Sequence, residues 1–201
     1  RNCKIINTET TEIVSYVTDT VIIILLFALF GYIHSWLASN SVKKKIALRT
    51  GSKIAFYRLF YNLFSLLLFF FLFSLMPKPL LMIYDLPAPF DILILIPQFI
   101  SLAGIIWSLR YFSLYEFAGI NQVLRWKNNS YNENELDEKL TLRIEGPYKY
   151  SRHPLYFFII AFMLFRPAMN LFYLVFTICT TVYFYIGSIY EEKKLTEAFG
   201  E

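Results

Sequence analysis

Charge is scarce in this chain. Only 17% of its 201 residues are charged, against 57% hydrophobic and 19% aromatic. That balance rules out an ordinary soluble domain, and the apolar residues fall into long runs, as in a polytopic membrane protein. Glycine is also sparse. There are seven, and no Gly-x-Gly-x-x-Gly follows a strand, so no soluble Rossmann-type cofactor site is encoded. The two cysteines, Cys3 and Cys179, lie too far apart for a disulfide framework or a paired metal site. No His, Cys and carboxylate cluster has metal-ligand spacing, and there is no Gly-x-Ser-x-Gly nucleophile elbow. Neither a metal nor a nucleic acid is expected as a partner. No internal repeat or low-complexity tract is present. The chain begins at Arg1 rather than Met, which gives no basis for judging a signal peptide.

What is present is a series of apolar spans. The polar stretch from Arg1 to Glu12 reads as a loose tail or a helix start. A first span is expected over Ile13–Leu37, with Asp19 near one end and His34 near the other. The segment Ala38–Lys53 carries Lys43, Lys44, Lys45, Arg49 and Lys53 and no acid. By the positive-inside rule this loop is cytoplasmic, which places the N-terminus outside. A second span covers about Ile54–Met76, with Arg58 snorkelling to the interface. Pro77-Lys78-Pro79 ends it, and Pro87 and Pro89 argue against regular structure in the outer connection. A third span covers about Ile92–Phe112. The stretch Ser113–Tyr150 is the only long polar region, with an acidic run over Glu133–Glu138 and a brief alternation over Leu140–Ile144. Pro154 suits the first position of a new helix, where its missing N–H costs nothing. The fourth span, to about Phe165, is too short to cross alone. Arg166-Pro167 bends it into a fifth span over about Ala168–Tyr190. The fold class expected is therefore all-α, a membrane helix bundle of about five passages whose last two form a hairpin. The whole of 1–201 reads as a single domain: three spans over 13–112, a cytoplasmic loop over 113–153, and the hairpin with a C-terminal segment over 154–201. Five passages from an outside N-terminus leave the C-terminus cytoplasmic.

Two polar stretches flank that hairpin. One is Gly146-Pro147-Tyr148-Lys149-Tyr150-Ser151-Arg152-His153-Pro154-Leu155-Tyr156. The other is Glu191-Glu192, followed by Phe199-Gly200. A hairpin would return Glu191-Glu192 to the membrane face left at His153, so that Arg, His, Tyr and two carboxylates meet at the boundary. Taken singly, Arg152 and His153 read as interface anchors and Glu191-Glu192 as a solvated helix end. At this spacing they read together as a site.

The pattern Gly-Pro-Tyr-x-Tyr-x-Arg-His-Pro-x-Tyr, an apolar run and then Glu-Glu resembles the signature of the integral-membrane methyltransferase superfamily. Its members include isoprenylcysteine carboxyl and phospholipid methyltransferases. The stretches Ile33–Ser39, Tyr57-Arg58-Leu59, Tyr115–Val123 and Arg166–Met169 are similar to its methanethiol S-methyltransferase-like branch. The likeness runs from about Gly31 to Glu201. The chain departs at Phe157, where many members carry Gly soon after the Tyr.

The resemblance implies S-adenosyl-L-methionine as cofactor, with Tyr148, Arg152, His153, Pro154, Tyr156, Glu191 and Glu192 in the cofactor region. The carboxylates suit the cofactor ammonium or the ribose hydroxyls. Arg152, or backbone N–H groups at a helix start, suits its carboxylate, and the tyrosines offer ring faces to adenine or the sulfonium. Arg152 and His153 are the candidate catalytic residues. His153 is a base, a cofactor contact or a helix cap. His34 and Gln122 are candidate acceptor-pocket residues, each with a structural alternative: a hydrogen bond within the bundle for His34 and loop backbone for Gln122. The expected acceptor is a small or lipophilic thiol entering from the bilayer. A prenylcysteine carboxylate and a phospholipid amine are the alternatives within the class. An NADPH-dependent membrane reductase would need a basic cluster for the 2′-phosphate, and none lies beside the signature. A non-enzymatic relative is the remaining alternative. A bacterial inner membrane is the expected location, with the endoplasmic reticulum as the alternative.

Overall fold

The computed structural model describes residues 2–132, 136 and 144–200, with side chains from residue 10 onward. The expected acidic run 133–138, apart from position 136, and the stretch 140–143 lie outside the described residues. The chain is an all-α bundle with one small ribbon. Among the described residues, four helical stretches are long and apolar enough to cross a membrane: Thr10–Ala38, Asn40–Leu75, Phe90–Arg110 and Leu171–Phe199. A fifth apolar helix, Pro154–Leu164, is shorter. The protein is therefore an integral membrane protein.

Helix α1 spans Asn2–Ala38, so the N-terminal polar stretch continues the helix. The basic segment expected as a loop is instead helix α2, Asn40–Thr50, followed by a 3-10 turn over Gly51–Phe56. The physical reason is local. The Ser39 side chain accepts from the Val42 N–H at 3.5 Å, a helix N-cap, and Lys, Ile, Ala and Leu are acceptable helix formers. Gly51 ends the helix at φ 55°, a conformation glycine adopts readily. Helix α3 spans Tyr57–Leu75. Arg58, expected at the interface, has a protein partner. Its Nε donates to the Phe117 carbonyl at 2.9 Å, and Asn62 Nδ2 donates to the same oxygen at 2.7 Å. Two polar side chains of α3 thus hold the short helix α6, Leu114–Ala118. Gly119 (φ 93°) lets that corner approach α3, since a Cβ there would meet the Leu59 backbone nitrogen at 2.6 Å.

The connection between α3 and the next membrane helix is more regular than its prolines suggest. Strand β1, Met82–Asp85, pairs antiparallel with β2, Ala168–Asn170, in the register Met82↔Asn170, Tyr84↔Met169 and Asp85↔Ala168. The prolines flank β1 and leave its donors free to pair. The Leu171 N–H donates to the Leu81 carbonyl at 2.8 Å and the Leu86 N–H to the Pro167 carbonyl at 3.0 Å. The ribbon sits at the hairpin bend and ties it to the loop after α3.

The short turn α4, Phe90–Leu93, leads into α5, Leu95–Arg110. Helix α8, Pro154–Leu164, packs chiefly on α5. The contact face of α5 is Ser101, Gly104 and Ser108, all buried. Small residues let membrane helices approach closely. Their hydroxyls are satisfied within the helix, Ser101 by the Pro97 carbonyl and Ser108 by the Gly104 carbonyl. Phe158 lies directly against Gly104, where an added Cβ would come within 2.3 Å of its ring. The 11 residues of α8 rise only about 16 Å.

Helix α9 spans Leu171–Phe199. Asn170 caps it, accepting from the Tyr173 N–H at 2.9 Å. About 20 residues cross the hydrocarbon layer, so a helix starting at Leu171 emerges near Tyr190. Its polar end, from Glu191, then projects beyond the bilayer. The core joins α1, α3 and α9 through Ile23, Phe27, Met76, Phe172 and Val175. Leu66, Leu67, Phe70 and Phe71 on α3 are exposed, as expected of a lipid-facing surface.

Candidate functional site

The hairpin brings the two polar stretches together. Gly146 opens a 3-10 turn, Gly146–Lys149, at φ 59°. The Tyr111 ring stands where a Cβ would be, so the turn has no room for a side chain at that position. Pro147 is buried in this turn, and the chain then reaches His153 with its backbone at the N-cap position of α8. Pro154 follows at the first helical position and is fully buried. The His153 carbonyl accepts from the Phe157 N–H at 3.2 Å, the first turn of the helix. The His153 side chain makes no capping bond and turns instead toward α9.

There it meets both carboxylates. His153 Nε2 lies 3.1 Å from Glu192 Oε1, and Nδ1 lies 3.5 Å from Glu191 Oε2. The Tyr156 hydroxyl donates to Glu191 Oε2 at 3.2 Å. Arg152 Nη1 stands 3.6 Å from Glu192 Oε2. The His153 side chain is 18% exposed, the two carboxylates are 48% and 42% exposed, and Arg152 is 81% exposed. The site therefore has a sheltered imidazole, two carboxylates at the water boundary and a guanidinium in solvent. Exposure leaves the Arg152 pair weak, so the guanidinium is available to a ligand.

Aromatic rings extend the site into the bundle. The His153 and Tyr156 rings stack with centroids 5.4 Å apart and an interplanar angle of 5°. Tyr156 in turn stacks on Phe184 at 4.5 Å and 13°. Phe184 adjoins Tyr183 at 6.4 Å, and Tyr183 adjoins His34 at 6.2 Å. The series runs from the two carboxylates to the near end of the α1–α9 contact.

The expected site residues lie at different distances from this cluster. His153, Pro154, Tyr156, Glu191, Glu192 and Arg152 converge as described. Tyr148, half-buried in the 3-10 turn, lies within electrostatic reach of Tyr156. His34 stands one step further in, with Nε2 2.7 Å from the Tyr61 hydroxyl. Gln122 is elsewhere. It is buried on helix α7, Ile120–Lys127, and its Nε2 donates to the Glu116 carbonyl and to Glu116 Oε1, both at 3.1 Å. Arg125 pairs with the same carboxylate through two bonds of 3.0 and 2.8 Å. These groups hold α6 to α7. Phe184, Gly187, Tyr183 and Tyr61 were not singled out by sequence reasoning. The signal for Tyr183 and Gly187 was their i, i+4 spacing to Glu191, which puts all three on one face of α9.

Among the described residues, no group of three or more His, Cys, Asp or Glu side chains could hold a metal ion.

No family model matches the chain, and no solved structure matches it. Curated proteins do. Methanethiol S-methyltransferase 1 of Bradyrhizobium diazoefficiens is 32% identical over 191 residues, covering 90% of this chain and 61% of that protein. Methanethiol S-methyltransferase of a Pseudomonas species is 31% identical over 180 residues, covering 88% of this chain and 66% of that protein. The enzyme of the same name from Pseudomonas deceptionensis is 47% identical over 55 residues, covering 27% of this chain and 21% of that protein. The chain thus spans just under two thirds of the length of the first two. Similarity that runs over about nine tenths of this chain supports a place for it in the methanethiol S-methyltransferase-like branch of the membrane methyltransferases.

Proposed function

We propose that the protein transfers a methyl group from S-adenosyl-L-methionine to a small thiol, giving a thioether. The observation that carries this reading is the convergence of His153, Tyr156, Glu191 and Glu192 across the hairpin, with Arg152 at its rim. The names of the similar proteins supply the acceptor class.

The residues fit the cofactor by their chemistry. Glu191 and Glu192 suit its ammonium or ribose hydroxyls, as acceptors of charge-assisted hydrogen bonds. Arg152, held only loosely by Glu192, suits its carboxylate. The ring faces of Tyr156 and Phe184 suit a flat base or a sulfonium. The bound cofactor would supply an electrophilic methyl carbon. The protein then has to bind, orient and keep water out. Glu192 holds the His153 ring in place, and His153 in turn supports Tyr156 by stacking. The single-domain organisation over 1–201 and the inside placement of Glu191 and Glu192 belong to the same proposal.

The test is to incubate purified protein with S-adenosylmethionine and methanethiol and to measure dimethyl sulfide in the headspace. Prenylcysteines and lipid amines serve as competing acceptors. Turnover with the thiol alone is the expected result. Turnover only with a prenylcysteine or a lipid amine would move the acceptor within the class, and turnover with none would overturn the proposal.

A further inference from the structure

A second polar cluster lies inside the bundle, and the cofactor reading does not use it. His34 on α1 faces Tyr61 on α3 and Tyr183 on α9, with ring centroids 5.0 and 6.2 Å away. Its Nε2 is engaged by the Tyr61 hydroxyl at 2.7 Å. Its Nδ1 is buried and has no hydrogen-bond partner. An intramembrane ionisable side chain is costly and marks a functional position by default. A half-satisfied one is costlier still, because a buried polar atom without a partner forfeits its solvation.

The face of α9 that carries Tyr183 supplies the space. Tyr183, Gly187 and Glu191 recur every fourth residue and so lie along one stripe. The eight-residue rise from Tyr183 to Glu191 is about 12 Å, with Gly187 halfway. A Cβ built on Gly187 would meet only the Tyr156 hydroxyl, at 4.0 Å. Gly31 matters on the facing helix, where a Cβ would touch the Tyr183 ring at 3.5 Å. The glycine at 187 therefore leaves room one helical turn from the His34 cluster and one turn from the Glu191 cluster.

We propose that the space beside Gly187 is the acceptor subsite, that it takes a small uncharged thiol, and that His34 Nδ1 receives the thiol proton. This rests on the reading of His153, Tyr156, Glu191 and Glu192 as the cofactor region. In the tautomer with its hydrogen on Nε2, the ring donates to the Tyr61 hydroxyl, and the Nδ1 lone pair is left for the thiol. The S–H bond breaks and its proton goes to Nδ1. The sulfur electron pair forms the new carbon–sulfur bond, and the bond between that methyl carbon and the sulfonium breaks, its pair staying with the donor sulfur. His34 later returns the proton to water. An uncharged thiol reaches this depth through the bilayer.

The experiment separates this subsite from the cofactor reading. Ethanethiol is titrated calorimetrically into the protein, with and without saturating S-adenosylhomocysteine. The variants are Gly187→Ala, His34→Gln and Tyr61→Phe. Gly187→Ala meets nothing nearer than 4.0 Å and keeps the fold. It is expected to weaken ethanethiol binding fivefold or more and to leave S-adenosylhomocysteine affinity within twofold. His34→Gln is expected to lower kcat by about 100-fold or more, the scale of general-base catalysis, with S-adenosylhomocysteine affinity again kept. Tyr61→Phe should lower kcat less. Unchanged ethanethiol binding in Gly187→Ala, or wild-type kcat in His34→Gln, would overturn the subsite. Failure of the wild type to bind S-adenosylhomocysteine would count against the cofactor reading alone, because the thiol titration without it still decides the subsite.

Discussion

Gly104→Ala tests how the bundle positions the site. The added Cβ would stand 2.3, 2.4 and 2.5 Å from three atoms of the Phe158 ring. Ordinary carbon contacts need about 3.5–4.0 Å, so the ring or the helix must move by about 1 Å or more. Overpacking of this kind costs about 1–3 kcal/mol. Alanine returns up to about 1 kcal/mol as the better helix former. The net expectation is a destabilisation of about 1 kcal/mol. Phe158→Leu removes the breadth of the ring, and in that background Gly104→Ala should stabilise instead. The coupling between the two substitutions is expected at about 2 kcal/mol, within the usual range for residues in contact. Unfolding of the four proteins in detergent, followed by circular dichroism, measures it. S-adenosylhomocysteine affinity is measured alongside, because Phe158 lies one turn from Pro154 and His153. Equal effects of Gly104→Ala in both backgrounds would refute the close α5–α8 contact and its part in placing His153.

Other expectations concern the polar groups. Arg125→Ala should cost about 3 kcal/mol in unfolding experiments, since it leaves the buried Glu116 carboxylate without its bidentate partner, and a loss below about 1 kcal/mol would mean that solvent reaches Glu116. Tyr156→Phe removes the hydroxyl that donates to Glu191 but keeps the ring stack on Phe184. It should weaken S-adenosylhomocysteine by about fivefold, in line with one hydrogen bond of about 1 kcal/mol, and Tyr156→Ala should weaken it far more. Cysteines replacing Lys44 and Glu192 should react with an impermeant thiol reagent only from the cytoplasmic side. Labelling from outside would reverse the topology.

The long spans were legible because membrane helices announce themselves by length and apolarity. The hairpin site was legible because its polar residues interrupt apolar runs at fixed spacing. Pro154 opened its helix at the expected position for a backbone reason alone. The rest was hidden for physical reasons. A helix apolar all round has no amphipathic face to read, so the Ser101–Gly104–Ser108 contact with α8 and the Tyr183–Gly187–Glu191 stripe leave little trace in hydropathy. Strands β1 and β2 have four and three residues, and they pair across most of the chain's second half. No local pattern specifies such a pair. The basic segment α2 read as a loop because its charges dominate its composition, although its cap and its helix formers favour a helix. Gln122 stands among polar neighbours in sequence, but its hydrogen bonds go to Glu116, within the α6–α7 corner.

The most direct test of the central claim is calorimetric titration of the purified protein with S-adenosylhomocysteine, with NADPH as control, repeated on Glu192→Gln. Removal of that charge should leave the fold intact and weaken the cofactor product at least tenfold, the scale of a charge-assisted hydrogen bond worth about 1.5–3 kcal/mol. The account predicts saturable binding of S-adenosylhomocysteine to the wild type, its loss in Glu192→Gln, and no binding of NADPH. Binding of NADPH alone, or S-adenosylhomocysteine binding unchanged in a folded Glu192→Gln protein, would contradict it.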